Sequence, residues 1–129
     1  MEKLAEKPSK ILVVDDEPGV CDILKKILEQ EKYTVFTATS GARALNLFKK
    51  EAVDLILLDI KMPRMDGIEF FHELRKKDKN VVVIILTAHA TLGTAREAME
   101  LGAYDYITKP FDAHFVVRMV KEGIEERGV

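Results

Sequence analysis

The 129-residue chain has one cysteine, Cys21, and no tryptophan. A lone thiol cannot close an internal disulfide and leaves no partner for a metal or redox pair, so the sequence fits a reducing compartment and Cys21 reads as packing. Charge of one sign is missing too. Twenty Lys and Arg face 22 Asp and Glu for a net charge of -2, which gives no electrostatic footprint for direct nucleic-acid or membrane-surface binding. The longest unbroken apolar run, VVVIIL at 81–86, falls far short of the roughly 18 residues of a membrane span. The opening MEKLAEKPSK is charged and lacks a signal core. These absences predict a cytoplasmic protein with neither membrane nor nucleic-acid partner. One Gln and two Asn beside that charge load is a balance shared with heat-adapted proteins.

A chain of this length buries roughly two-thirds of its unfolded surface and folds without staples. With 47% hydrophobic and 33% charged residues, it reads as one ordinary globular domain. Five apolar runs, KILVV at 10–14, YTVFTAT at 33–39, LILL at 55–58, VVVIIL at 81–86 and DYIT at 105–108, alternate with helical periodicity. In the first helical segment Val20, Ile23, Leu24, Ile27 and Leu28 share one face, with Pro18 suited to its first turn. Further helices are expected at about 41–50, 67–77, 91–101 and 113–126, with Gly102 as a C-cap. Consecutive rather than alternating apolar residues in the strands predict helices on both sheet faces. The expected fold is a doubly wound α/β domain with a five-stranded parallel sheet, spanning 10–127 behind a flexible tail at 1–9.

In such a sheet, ligands bind at the carboxyl ends of the strands. Asp15, Asp16 and Glu17 follow the first run, Asp59 the third, Thr87 the fourth, and Lys109 with Pro110 the fifth. Singly, each has an ordinary explanation as a turn former, a helix cap or a loop lysine. Together they predict a site. Clustered carboxylates raise one another's pKa unless a cation intervenes. Lys109 supplies one charge, and a hard divalent ion, Mg²⁺ or alternatively Mn²⁺, suits Asp15, Asp16 and Asp59 as ligands.

The segments VVDDEP, LLDIKMPRMDG, LTA and TKPF occur in the order and spacing of the receiver domains of two-component response regulators. The chain resembles that family from Lys10 to about Glu126. Its TAHATLGTAREAMELGAYDYITKPFD most resembles receivers attached to nitrogen-regulation-type transcription activators. The resemblance implies a flavodoxin-like (βα)5 fold with strand order 2-1-3-4-5. It implies that Asp59 accepts a phosphoryl group from a sensor histidine kinase, and that Asp15 and Asp16, with Asp59 and the Lys61 backbone carbonyl, hold Mg²⁺. Thr87 and Lys109 would take phosphoryl oxygens, Tyr106 would follow Thr87 as a switch, and Lys61 and His89 would tune phosphate lifetime.

Such a domain is a signalling switch that promotes its own phosphotransfer and dephosphorylation. Its effector stands in a longer chain or a separate protein. A homodimer through the fourth and fifth helices would use Ala95, Met99, Phe115 and Met119. Three other readings fit less well. A haloacid-dehalogenase-type phosphatase carries a second aspartate two residues after the first, where this chain has Lys61. A flavodoxin-like cofactor binder needs a phosphate-cradling loop where this chain has the acidic DDEP. A pure interaction module that has lost phosphorylation is disfavoured because every reactive group is present.

Overall fold

The computed structural model describes residues 8–62, 66–88 and 91–128. Five strands, β1 (Lys10–Val14), β2 (Thr34–Ala38), β3 (Leu55–Leu58), β4 (Val82–Thr87) and β5 (Asp105–Thr108), alternate with five helices. These are α1 (Pro18–Gln30), α2 (Gly41–Lys50), α3 (Gly67–Lys77), α4 (Leu92–Glu100) and α5 (Ala113–Gly128). All strand pairs are parallel and the order is β2-β1-β3-β4-β5, as expected. Most of the predicted tail lies outside the described residues, and the Ser9 carbonyl already accepts the Thr34 N–H at 3.0 Å.

Alternate residues of each strand feed separate cores. Leu12, Val14, Ile56, Leu58, Val83 and Ile85 pack with Phe70, Phe71 and Leu74 of α3, Ala44 of α2 and Ala98 of α4. Ile11, Val13, Leu55, Leu57, Ile84 and Leu86 pack on the other face with Leu24 and Leu28 of α1 and Val116 and Val120 of α5. Each such aliphatic side chain contributes roughly 1.5–3 kcal/mol by leaving water. Two covered faces explain why β1, β3 and β4 carry apolar residues at consecutive positions.

Helix ends follow local chemistry. Ser40 accepts the Arg43 N–H and Asp66 the Glu69 N–H, while Thr91 and Thr94 form a reciprocal capping box. Gly102, at φ +86°, ends α4 as expected: its N–H reaches Met99 O and that of Ala103 reaches Ala98 O, a Schellman closure. Arg75 fastens α3 to this end of α4 by donating to the Leu101 and Gly102 carbonyls, and it also reaches Val81 O. His72 Nε2 lies 3.0 Å from Glu97 Oε2 between the same helices, on the surface.

Two expected faces are corrected. Ile23 does not join the buried stripe of α1, which runs through Cys21, Leu24 and Leu28; it is 54% exposed. On α5 the expected exposed pair of Phe115 and Met119 is split, with Met119 buried and Phe115 37% exposed beneath Arg118. The cause lies at Gly123, where a Cβ would meet Leu55 Cδ1 at 2.9 Å. That closest approach centres the buried stripe on 116, 119, 120 and 123.

Candidate functional site

Register explains the convergence of the strand-end groups. Val14 pairs with Leu58, so Asp15 and Asp59 leave the sheet side by side; Thr87 pairs with Thr108, so Lys109 emerges beside Thr87. Backbone bonds extend the ladder one residue further, from Asp15 N to Ala38 O, Asp59 N to Val14 O and Lys109 N to Thr87 O, at 2.9–3.1 Å. The functional side chains are therefore carried on hydrogen-bonded backbone rather than on free loops.

Asp15 and Asp59 are both buried, at 1% and 4% exposure, and Thr87 is fully enclosed. Between the carboxylates stands Lys109, whose Nζ lies 2.7 Å from Asp15 Oδ2, 3.0 Å from Asp59 Oδ2 and 3.2 Å from Glu17 Oε1. The Asp15 contact is an ion pair outside hydrogen-bond angles; the other two are hydrogen bonds. The remaining oxygens accept backbone donors: Asp15 Oδ1 from the Glu17 N–H and Asp59 Oδ1 from the Lys61 N–H, both at 2.9 Å.

Burial pushes the Asp15 carboxyl above the usual aspartate range even though Lys109 and the Glu17 N–H pull it down. Burial alone would lower Lys109, but its close contacts with the Asp15 and Asp59 carboxylates outweigh that and hold the ammonium above the ordinary lysine value. Cys21, buried behind the site, donates weakly to Asp15 O at 3.4 Å. Its thiol is pushed up to about 11 by burial, then by the Asp15 charge, which leaves it an inert packing group.

Carboxylate oxygens of Asp15, Asp16, Glu17 and Asp59 all lie within 4.8 Å of one another. Four acids against one shared ammonium leave an excess of negative charge in an all-oxygen donor set, which suits a hard divalent cation. The site opens into a pocket walled by Asp16, Glu17, Lys61, Met62 and Ala88. All four predicted strand-end positions, Asp15, Asp59, Thr87 and Lys109, meet here, with Asp16 and Lys61 at the rim. Tyr106 pairs with Ile85 across β4, and its hydroxyl is buried with no hydrogen-bond partner among the described residues. His89 and residues 63–65 of the M-P-R-M-D-G loop lie outside the described residues.

Sequence reasoning passed over Glu17, read as a helix starter. It does occupy the N-cap of α1, yet its side chain makes no capping bond and turns to Lys109 instead. Gly67 has a strict steric role. A Cβ there would overlap Asp59 O and Ile60 Cα, so α3 begins against the backbone of Asp59.

A family model described as the response regulator receiver domain matches residues 11–121. Sporulation initiation phosphotransferase F of Bacillus subtilis (strain 168) is 42% identical over 113 residues, covering 88% of this chain and 91% of that protein. Transcriptional regulatory protein GlrR of Escherichia coli (strain K12) is 37% identical over 123 residues, covering 95% of this chain. The chain spans only 28% of the length of that regulator. Among solved structures, a CheY-like receiver domain protein from Methanospirillum hungatei JF-1 superposes with a TM-score of 0.91 at 32% identity, covering 94% of this chain and 97% of its own. Relatives include activators of the nitrogen-regulation type, as the fourth-helix segment suggested. On sequence and fold alike, the chain belongs to the receiver domains of two-component response regulators.

Proposed function

We propose that Asp59 is the phosphoacceptor of this receiver, that a sensor histidine kinase is its donor, and that transfer depends on Mg²⁺. The observation that carries the proposal is the buried pairing of Asp15 and Asp59 around the Lys109 ammonium at the carboxyl edge of the sheet. An Asp59 oxygen attacks phosphorus, the P–N bond to the phosphohistidine breaks as the acyl P–O bond forms, and the leaving imidazole takes up a proton. Catalysis of such a step is mainly positioning and charge stabilisation. Asp15, Asp16 and Asp59, with the Lys61 carbonyl, hold the metal, which when bound offsets charge on the phosphoryl oxygens. Lys109 and the Thr87 hydroxyl receive the other oxygens.

The adduct adds nearly two negative charges. Inverting a two-state equilibrium from 1:99 to 99:1 needs about 5.5 kcal/mol, and charge-assisted bonds contribute roughly 1.5–3 kcal/mol each. New bonds from Thr87 and Lys109 are enough, and Tyr106, already turned inward, reports the Thr87 position to the α4–β5–α5 face. Met99, 51% exposed, and Phe115 supply apolar surface there for a dimer or effector. On the opposite flank, Val20, Ile23 and Ile27 of α1 form an apolar groove with Pro110 and Phe111, beside the pocket, which suits the kinase. The receiver unit is 10–127, and Lys61 and His89 tune the lifetime of the adduct.

Intact-mass measurement with phosphoramidate and Mg²⁺ tests this. One labile phosphoryl adduct is expected on the wild-type chain and none on Asp59→Asn or with chelator; an adduct that persists on Asp59→Asn would remove Asp59 as the acceptor.

Metal affinity should also depend on pH. Because burial raises the Asp15 pKa, protons compete for that ligand from above the ordinary aspartate value of about 3.9. Mg²⁺ affinity, measured by calorimetry, is expected to be level near neutrality and to fall on acidification, approaching about tenfold per pH unit for one competing proton. Affinity unchanged down to pH 4 would exclude Asp15 as a ligand.

A further inference from the structure

We propose that Glu17 is a latch on Lys109, the exchangeable partner that the ammonium releases when it takes a phosphoryl oxygen. The inference rests on the phosphoacceptor reading of the site and concerns what limits the supply of Lys109 to it. An ammonium has three N–H bonds, and here it faces three carboxylates, those of Asp15, Asp59 and Glu17, at 2.7, 3.0 and 3.2 Å. Its two donated hydrogen bonds go to Asp59 and Glu17 while the Asp15 ion pair crowds the remaining side, so an incoming phosphoryl oxygen is seated by displacing one of these carboxylates.

Exposure decides which. The Asp15 and Asp59 side chains are 2% and 5% exposed, so releasing either strands a charge away from water. The Glu17 side chain is 64% exposed, and water solvates it as soon as it lets go. It is also the longest of the three contacts. Among the described residues nothing else occupies this carboxylate: its N-cap position makes no side-chain capping bond, although the caps of α2, α3 and α4 all do.

The latch stands where two cavities meet. Glu17, Ala88 and Lys109 wall both the acidic pocket and the apolar groove along α1. A protein docking in that groove reaches Glu17 before it reaches Asp59 and can draw it away from the groove side, whereas a small phosphodonor meets Glu17 only from within the acidic pocket, where Lys109 still holds it. Glu17 thus holds back small donors relative to a docked one, acting as a positioning residue through Lys109.

The test is the rate of phosphorylation by phosphoramidate at saturating Mg²⁺, followed by intact mass for wild type, Glu17→Gln and Glu17→Asp. Losing an exposed ion pair is expected to raise the apparent second-order rate of Glu17→Gln by about two- to fivefold, through a lower KM with the maximal rate unchanged. Glu17→Asp keeps the charge but withdraws it by one methylene, and a gain comparable to that of Glu17→Gln is expected. A Glu17→Gln rate equal to or below wild type would overturn the latch, as would a Glu17→Asp variant indistinguishable from wild type, which would make the effect one of charge alone. Mg²⁺ affinity weakened tenfold in Glu17→Gln would overturn it too, by making Glu17 a metal ligand. Failure of the wild-type chain to form any Asp59-dependent adduct would instead reject the phosphoacceptor reading, so the two failures are distinct.

Discussion

Replacing Gly67 with alanine is expected to destabilise the domain by about 3 kcal/mol and to lower its melting temperature by about 10 °C. A Cβ at this position falls on Asp59 O and Ile60 Cα and lies 2.9 Å from Asp59 C. These are backbone atoms of the segment that leaves β3, and that segment is pinned by the Asp59 N–H to Val14 O bond and by Gly67 N–H to Ile60 O. Neither side can yield as a flexible side chain would. Relief requires α3 to lift away, which opens the contacts of Phe70 and Phe71, both fully buried. The same movement displaces the Asp59 carboxylate from Lys109, so phosphorylation should fall in any folded fraction. Gly19, in the first turn of α1, has nothing within 4 Å of its virtual Cβ. Gly19→Ala is therefore expected to be neutral or to stabilise by up to about 1 kcal/mol through helix propensity. Equal melting temperatures for the two variants would show that the α3 start tolerates a side chain against Asp59.

The contrast between these glycines marks the limit of what the sequence discloses. Element types were legible because continuous apolar runs such as LILL and VVVIIL have one stable home, a strand covered on both faces, and because the intervening segments repeat with a helical period. Strand-end chemistry was legible because parallel topology sends every carboxyl end to one edge, so Asp15, Asp59, Thr87 and Lys109 had to meet. Contacts set by a close approach were not. The Glu17 to Lys109 bond joins residues 92 apart, and an acid at a helix N-cap gives no sign that its side chain will turn away from the cap. The buried stripe of α5 shifted to include Met119 because Gly123 seats the helix close to Leu55, a distance that no periodicity encodes. Ile23 likewise lies beyond the edge of a stripe whose width is set by how deeply Cys21 and Leu24 sink.

Lys109→Met is expected to cost about 3 kcal/mol of stability in the absence of metal, measured by urea unfolding near pH 7, because removing one partner of a buried ion cluster leaves the others uncompensated. Methionine retains most of the apolar stem, so the loss reports the charge rather than a cavity. Two signs follow from linkage. In the wild type the ammonium is held above its ordinary value, so its contribution is complete below about pH 10.4 and disappears as pH rises through the elevated pKa. The difference between wild type and variant should therefore stay level from neutrality to about pH 9 and close only in strong alkali. On the acid side the variant has lost the Lys109 interactions that lower Asp15, so its folded state takes up a proton earlier than the wild type does. A folded state that binds more protons gains stability as pH falls, and the gap should narrow below neutrality. Millimolar Mg²⁺ should restore part of the lost stability by returning positive charge to Asp15 and Asp59, while the switching response to phosphorylation stays absent because no ammonium remains to engage the adduct. A Lys109→Met variant as stable as wild type without metal would mean that the two carboxylates are held by their backbone donors alone, the Glu17 and Lys61 N–H groups, and that Lys109 serves the phosphorylated state only.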